Sequence, residues 1–165
     1  MNTKVLRVAL IACGMIAASS TAWASTATTT FNVTGTVIGA CNVSAAPLSF
    51  GTAIPSTIAA NIDVSANMSV TCTNSAPYTV ALDVGTGSGA TFGSRKMTSG
   101  ANTMTYSLFT DSGRTLVWGD GTSSSNLYSG TGSGIAQSIP VYGRIPPQTV
   151  SAGSYSDTIT VTLTY

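Results

Sequence analysis

The stretch Gly153-Ser-Tyr-Ser-Asp157-Thr-Ile-Thr-Val-Thr-Leu-Thr-Tyr165 decides how the chain reads. From Thr158 onward, Thr alternates with Ile159, Val161, Leu163 and Tyr165. A period of two in β-branched and aromatic residues describes a strand with one buried face and one wet face. Nothing after Tyr165 is available to pair with it, so what covers this strand becomes the central question.

Working outward, the same alternation recurs. Met68, Val70 and Cys72 form one strand whose inward face carries a cysteine. Asn74-Ser-Ala-Pro77 is a turn, and Tyr78, Val80, Leu82 and Val84 alternate again, so the two runs read as a hairpin or as neighbouring strands. Leu48-Ser-Phe50-Gly51 reads as a short strand ending in a turn, and Asn61-Ile62-Asp63-Val64 as a loop or irregular edge. Met104, Tyr106 and Leu108 mark a further strand. Arg95-Lys96-Met97 reads as an edge strand whose charges discourage unwanted pairing. Ile139-Pro-Val141-Tyr142-Gly143 is a strand in which Pro140 suits an edge or bulge. Phe31, Val33 and Val37 share one parity, which makes 31–37 a strand candidate as well. No segment keeps a helical period. Many short strands punctuated by turns predict one all-β domain, an antiparallel β-sandwich of immunoglobulin-like type.

The first 24 residues are expected to be a secretory signal peptide. Lys4 and Arg7 precede an apolar run from Val8 to Ala18, and Ala22-Trp23-Ala24 is a small-x-small cleavage site. A competing lipoprotein parse at Leu10-Ile11-Ala12-Cys13 leaves a very short apolar run before it. Export leaves Cys41 and Cys72 as one pair, which an oxidising compartment would join. A metal site is the alternative, but the chain contains no His to complete one.

Of 165 residues, 7% are charged and 43% are hydrophobic, too apolar a balance for disorder. Beyond the leader, Arg95, Lys96, Arg114 and Arg144 face Asp63, Asp83, Asp111, Asp120 and Asp157, with no Glu. This near-neutral set lacks the basic patch that nucleic-acid binding requires.

A search for catalytic chemistry finds little. Hydrolysis through Ser or Cys usually needs a His base, and the one Ser–Lys option uses Lys96 beside Arg95. The aspartates are scattered, with Asp111, Asp120 and Asp157 in turn-like contexts. Gly85-Thr-Gly-Ser-Gly-Ala lacks the Lys-Ser/Thr ending of a phosphate loop. Asn32, Asn42 and Asn67 open Asn-x-Ser/Thr triplets, which chance explains in so Ser/Thr-rich a chain. Trp118 and Tyr128 could stack on a sugar, although such a Trp is more often core or rim packing. The expectation is a protein that is not an enzyme and uses no cofactor or metal.

Seven landmarks in order give the chain a recognisable signature. They are Phe31-x-Val33 ahead of Cys41, Leu48-x-Phe50-Gly51, Val70-x-Cys72, Met104-x-Tyr106-x-Leu108-Phe109, Trp118-Gly119-Asp120, Val141-Tyr142-Gly143-Arg144-Ile145-Pro146 and Gly153-x-Tyr155-x-Asp157-Thr158. With them the chain resembles the spore coat protein U domain family, whose members include subunits of archaic, Csu-type chaperone–usher pili. The resemblance implies an incomplete immunoglobulin-like sandwich completed by a donor strand. It implies a shaft subunit that polymerises by donor-strand exchange and supports adhesion and biofilm formation.

The implied partners are a periplasmic chaperone, an outer-membrane usher and further copies of the chain or related subunits. The implied route runs through the periplasm to the cell surface. Carried onto this chain, the donor segment lies within 25–34, with Ala27, Thr29, Phe31 and Val33 on one face, and the domain spans 35–165. Ile159, Val161, Leu163 and Tyr165 would line the acceptor groove. The competing reading is a secreted spore-coat or lectin-like binding protein using Trp118 and the Gly/Ser loops.

Overall fold

The computed structural model describes residues 23–165. The expected signal peptide, apart from Trp23 and Ala24, lies outside the described residues, as does the competing site at Cys13. The chain divides into two units, Met1–Thr36 and Val37–Tyr165. In the first, residues 23–36 carry no regular secondary structure and are exposed. The strand expected at 31–37 is therefore absent: Phe31 and Val33 are each 83% exposed and pair with no strand.

The second unit is all-β and antiparallel. Its strands are β1 (Cys41–Ala45), β2 (Thr57–Ile58), β3 (Ile62–Cys72), β4 (Pro77–Leu82), β5 (Arg95–Ser99), β6 (Asn102–Phe109), β7 (Tyr128–Thr131), β8 (Ala136–Ile145), β9 (Gln148–Thr149) and β10 (Val161–Thr164). One sheet has the order β1-β3-β8-β6-β5, a second β10-β4-β7, and β2 and β9 form a small ribbon. The inward faces meet in a core that includes Met68, Val70, Tyr78, Val80, Tyr106, Leu108, Trp118, Ile139 and Ile145. This is an incomplete immunoglobulin-like sandwich, with β1 and β10 each left at the edge of a sheet.

Several local expectations change once partners are known. Asn61–Val64 reads as loop, but Ile62 opens the 11-residue β3, whose partner β8 runs alongside from Ile62↔Ile145 to Thr71↔Ala136. Its polar residues Asp63 and Ser65 hide the strand because they occupy the exposed face. β3 and β4 do not form a hairpin. They lie in opposite sheets, because the turn through Ser75, at φ 64°, carries the chain across the sandwich.

Pro140 is in a central strand rather than at an edge. The β6 ladder onto β8 ends at Phe109↔Tyr142, so the sheet pairs Pro140 only on its β3 side, where it faces Asn67. Leu48 and Phe50 form no strand. They lie against Gly143 of β8, where an added Cβ would meet Phe50 at 2.9 Å and Leu48 at 3.0 Å.

Arg95 overturns its expected role most clearly. It opens an edge strand, as read, but its side chain is 0% exposed. Its Nε and Nη2 donate to the Asp83 carbonyl at 2.9 and 2.8 Å, Nη2 also to the Trp118 carbonyl at 2.7 Å, and Nη1 to the Phe92 carbonyl at 3.0 Å. Burial pulls the guanidinium pKa down, with Tyr106, Asp83 and Asp157 acting the other way. The strand is an edge, yet this charge faces inward and fastens three segments together.

Cys41 and Cys72, paired in register across β1 and β3, form a disulfide. Replacing both by Ser is expected to lower the unfolding free energy by about 3–4 kcal/mol, the loop-closure value for a cross-link of this span, measured by urea titration. Arg95→Met leaves the carbonyls of Asp83, Phe92 and Trp118 without their donor. It should destabilise by about 3 kcal/mol or more in the same titration.

Candidate functional site

The terminal strand keeps the alternation of its sequence. Ile159, Val161 and Leu163 turn inward onto the core, while Thr158, Thr160, Thr162 and Thr164 face water. Hydrogen-bonded strand geometry is confined to β10, which pairs with β4 from Val161↔Leu82 to Thr164↔Thr79. The other edge of β10 has no strand beside it among the described residues. β1, at the facing edge of the larger sheet, is likewise paired on one side only, with β3.

The two edges touch, and the sandwich opens beyond them, past Ala45 of β1 and ahead of Val161 of β10. A cleft of about 430 Å³ lies there, floored by Met68, Leu82, Tyr106, Leu108 and Val141. One wall is the segment from Ala45 to Leu48 with Phe50. The other is formed by residues 155–159 with Val161. A second hollow of about 570 Å³ continues past Gly51, Ile54, Val150 and Gly153, and shares Leu48, Phe50, Met97 and Tyr155 with the first. Together they make one trough that begins where β1 ends at Ala45 and β10 starts at Val161, with apolar side chains on the floor of its first part.

Asp157 sets the position of the β10 rim. Its Oδ1 accepts from the Thr86 amide, the Thr86 hydroxyl and the Thr158 amide, each at 2.8 Å, and its Oδ2 accepts from the Tyr106 hydroxyl at 2.7 Å. A side chain at Gly85 would run into this carboxylate, so the glycine, at φ 83°, makes room for it. The rim is tied a second time at Asp83, whose amide donates to the Thr160 carbonyl at 3.1 Å and whose Oδ1 accepts from the Thr160 amide at 3.0 Å.

Burial alone would raise the Asp157 carboxyl, but the hydrogen bonds from Thr86, Tyr106 and Thr158 outweigh it and hold the pKa below the usual carboxylate value. Burial, and then the bond to Asp157, push the Tyr106 phenol up. On the floor, Phe50 meets Tyr106 edge to face at 6.0 Å and 66°.

Of the four residues expected in the groove, Ile159 and Val161 line the cleft, Leu163 packs against the core further along β10, and Tyr165 lies past the strand at 62% exposure. Ala27, Thr29, Phe31 and Val33 are all exposed in the first unit. Sequence reasoning does not anticipate Leu48, Phe50, Met97 and Tyr155 as walls, or Asp157 as the rim's anchor. The available signal is the clustering of Leu48-x-Phe50 and Tyr155-x-Asp157 among the family landmarks.

Trp118 is unavailable for sugar stacking. It is 0% exposed, its Nε1 donates to the Val80 carbonyl at 2.9 Å, and its ring lies 5.8 Å from Tyr128. Among the described residues, no three His, Cys, Asp or Glu side chains come together as a metal site would require. The trough can accept an extended segment whose backbone joins a sheet edge and whose alternate side chains enter the apolar floor.

The family model for the Spore Coat Protein U domain matches residues 27–162. Protein U of Myxococcus xanthus is 34% identical over 98% of each chain. Among solved structures, a chain from the chaperone–tip adhesion subunit pre-assembly complex of the archaic chaperone–usher Csu pili of Acinetobacter baumannii superposes with a TM-score of 0.57 at 26% identity. That match covers 79% of this chain and 40% of the other, so the present chain spans about two-fifths of its structural neighbour. An all-β sandwich open along one side defines the class, and the chain belongs to the Spore Coat Protein U domain family. These relationships indicate a structural protein without enzymatic activity.

The Asp157 network has a definite pH signature. A carboxyl whose folded pKa lies below its unfolded value, about 3.9, stabilises the fold above that pH, and the contribution disappears as pH falls through the folded value. Asp157→Asn should therefore be less stable than the wild type at neutral pH. The gap should close below about pH 4 in thermal unfolding followed across pH.

Proposed function

We propose that the chain is a subunit of a chaperone–usher pilus shaft and polymerises by donor-strand exchange. The observation carrying this reading is a trough that opens at Ala45 and Val161, where two strands at sheet edges, β1 and β10, each have a partner strand on one side. An exposed apolar edge of this kind promotes aggregation unless a strand covers it. Residues 25–34 of a neighbouring copy have the pattern such a strand needs. Ala27, Thr29, Phe31 and Val33 share one parity, and Phe31 and Val33 are exposed apolar side chains.

Before assembly a periplasmic chaperone would lend the strand, and at the outer-membrane usher the next subunit's segment would replace it. The likeness to a protein solved with its chaperone supports the first of these partners. Export to the periplasm and then to the cell surface follows, with adhesion and biofilm formation as the roles of the assembled fibre. The full-length match to Protein U favours a second reading, a coat protein assembled through the same trough.

The test is deletion of residues 25–34 in cells that also make the chaperone and usher. The shortened chain should still co-purify with the chaperone and form no fibres. Fibres of normal yield from the shortened chain would sink the proposal. Phe31→Asp should cut fibre yield while leaving the chaperone complex intact, because a carboxylate would be desolvated on the apolar floor.

A further inference from the structure

Methionine occurs five times in the chain, at Met1 and Met15 within the expected leader and at Met68, Met97 and Met104 beyond it. All three beyond the leader line the trough. Met68 and Met97 border its first part, and Met97 and Met104 its second. The sulfur-bearing side chains are thus gathered where the core opens to solvent.

Met97 differs from the other two in access. Met68 and Met104 are 2% and 4% exposed, whereas Met97 is only partly buried. It stands opposite Met104 in the β5–β6 ladder, on the outermost strand of the larger sheet. With Leu48, Phe50 and Tyr155 it belongs to both parts of the trough. A small solute entering either part therefore meets the Met97 thioether first.

A thioether in such a position reacts with a peroxide. The sulfur lone pair takes one oxygen from the peroxide, the O–O bond breaks and an S–O bond forms. Sulfur is oxidised by two electrons to the sulfoxide, and hydrogen peroxide is reduced to water, which carries away both of its protons. Cys41 and Cys72 are joined to each other, so beyond the leader no free thiol competes for the oxidant.

The product acts on binding more than on the fold. In the empty trough the sulfoxide oxygen is solvated. A seated strand excludes that water, and the oxygen then needs a donor from the protein. The phenols lining the trough are already committed, Tyr106 donating to Asp157 at 2.7 Å and Tyr155 to the Ser151 carbonyl at 2.8 Å. Leu48 and Phe50, which line the trough with Met97, offer no side-chain donor. A polar group desolvated there without a partner costs affinity.

We infer that Met97 is an oxidation site: a peroxide reaches its sulfur while the trough is empty, and the sulfoxide then weakens the hold of an incoming strand. A seated strand would shield the same sulfur, so an assembled subunit resists the oxidant and an unassembled one is withdrawn from assembly. The effect on the strand rests on the strand-exchange reading.

The test exposes the dilute full chain to hydrogen peroxide, by itself and with a saturating synthetic peptide of residues 25–34, which contains no methionine. Fragment-ion mass spectrometry locates the added oxygen. In the chain by itself Met97 should oxidise about tenfold faster than Met68 and Met104, and the peptide should bring its rate down to theirs. Equal rates at the three methionines without peptide would overturn the site. Calorimetric titration then compares affinities. The oxidised chain should bind the peptide about tenfold more weakly than the untreated chain. Met97→Gln should weaken binding to a similar extent without oxidant, and Met97→Leu should keep its affinity through the same peroxide treatment. Undiminished affinity after oxidation, or an equal loss in Met97→Leu, would overturn the inference while leaving strand exchange standing. An untreated chain that does not bind the peptide would remove the strand-exchange reading and this inference with it.

Discussion

Among the described residues, no strand of its own sheet satisfies the outer row of backbone groups on β10, and the open side of the fold follows from that. An immunoglobulin-like sandwich ordinarily closes both sheets around its core. Here the three-stranded sheet stops at β10 and the five-stranded sheet stops at β1. The core between them is reached from outside through the trough, so Leu82, Tyr106 and Leu108 are both core residues and the floor of a site. Stability and binding therefore draw on the same apolar surface. A strand entering the trough would complete the core, and its affinity would add to folding free energy.

An open core has to be held open in a defined shape, and the polar interactions explain how. Asp157 and Asp83 fix the β10 rim through hydrogen bonds to residues 86, 106, 158 and 160, short of the span where β10 is a regular strand. Arg95, buried without a carboxylate partner, joins the end of β4 to the segments at Phe92 and Trp118. The β10 rim therefore takes its position from contacts within its own chain. That pre-organisation would lower the ordering cost for a strand entering the trough.

Strand identities are legible from alternation wherever one face is buried, as in Met68–Cys72, Tyr78–Leu82 and Thr158–Tyr165. The resemblance to the spore coat protein U family is legible from the ordered landmarks. Pairing is not. β3 and β4 are adjacent in sequence and lie in different sheets, because alternation records which residues face inward and not across what. Pro140 reads as an edge because its missing N–H argues against a central strand. The structure allows it because the β6 ladder stops short. Arg95 reads as a surface charge because its three acceptors are main-chain carbonyls, which leave no trace in side-chain composition. Likewise, Leu48 and Phe50 look like a strand and instead lie against Gly143, a contact visible only in three dimensions.

The disulfide has a mechanical meaning as well as a thermodynamic one. Tension on the chain ahead of Cys41 would ordinarily load β1 alone, whose ladder to β3 runs only from Cys41↔Cys72 to Ala45↔Met68. Cys41 is bonded to Cys72, so the load passes directly to the end of β3. β3 is held along its length by β8. A pull from that end must shear this longer ladder as a unit, and the load is spread over more hydrogen bonds than β1 alone supplies.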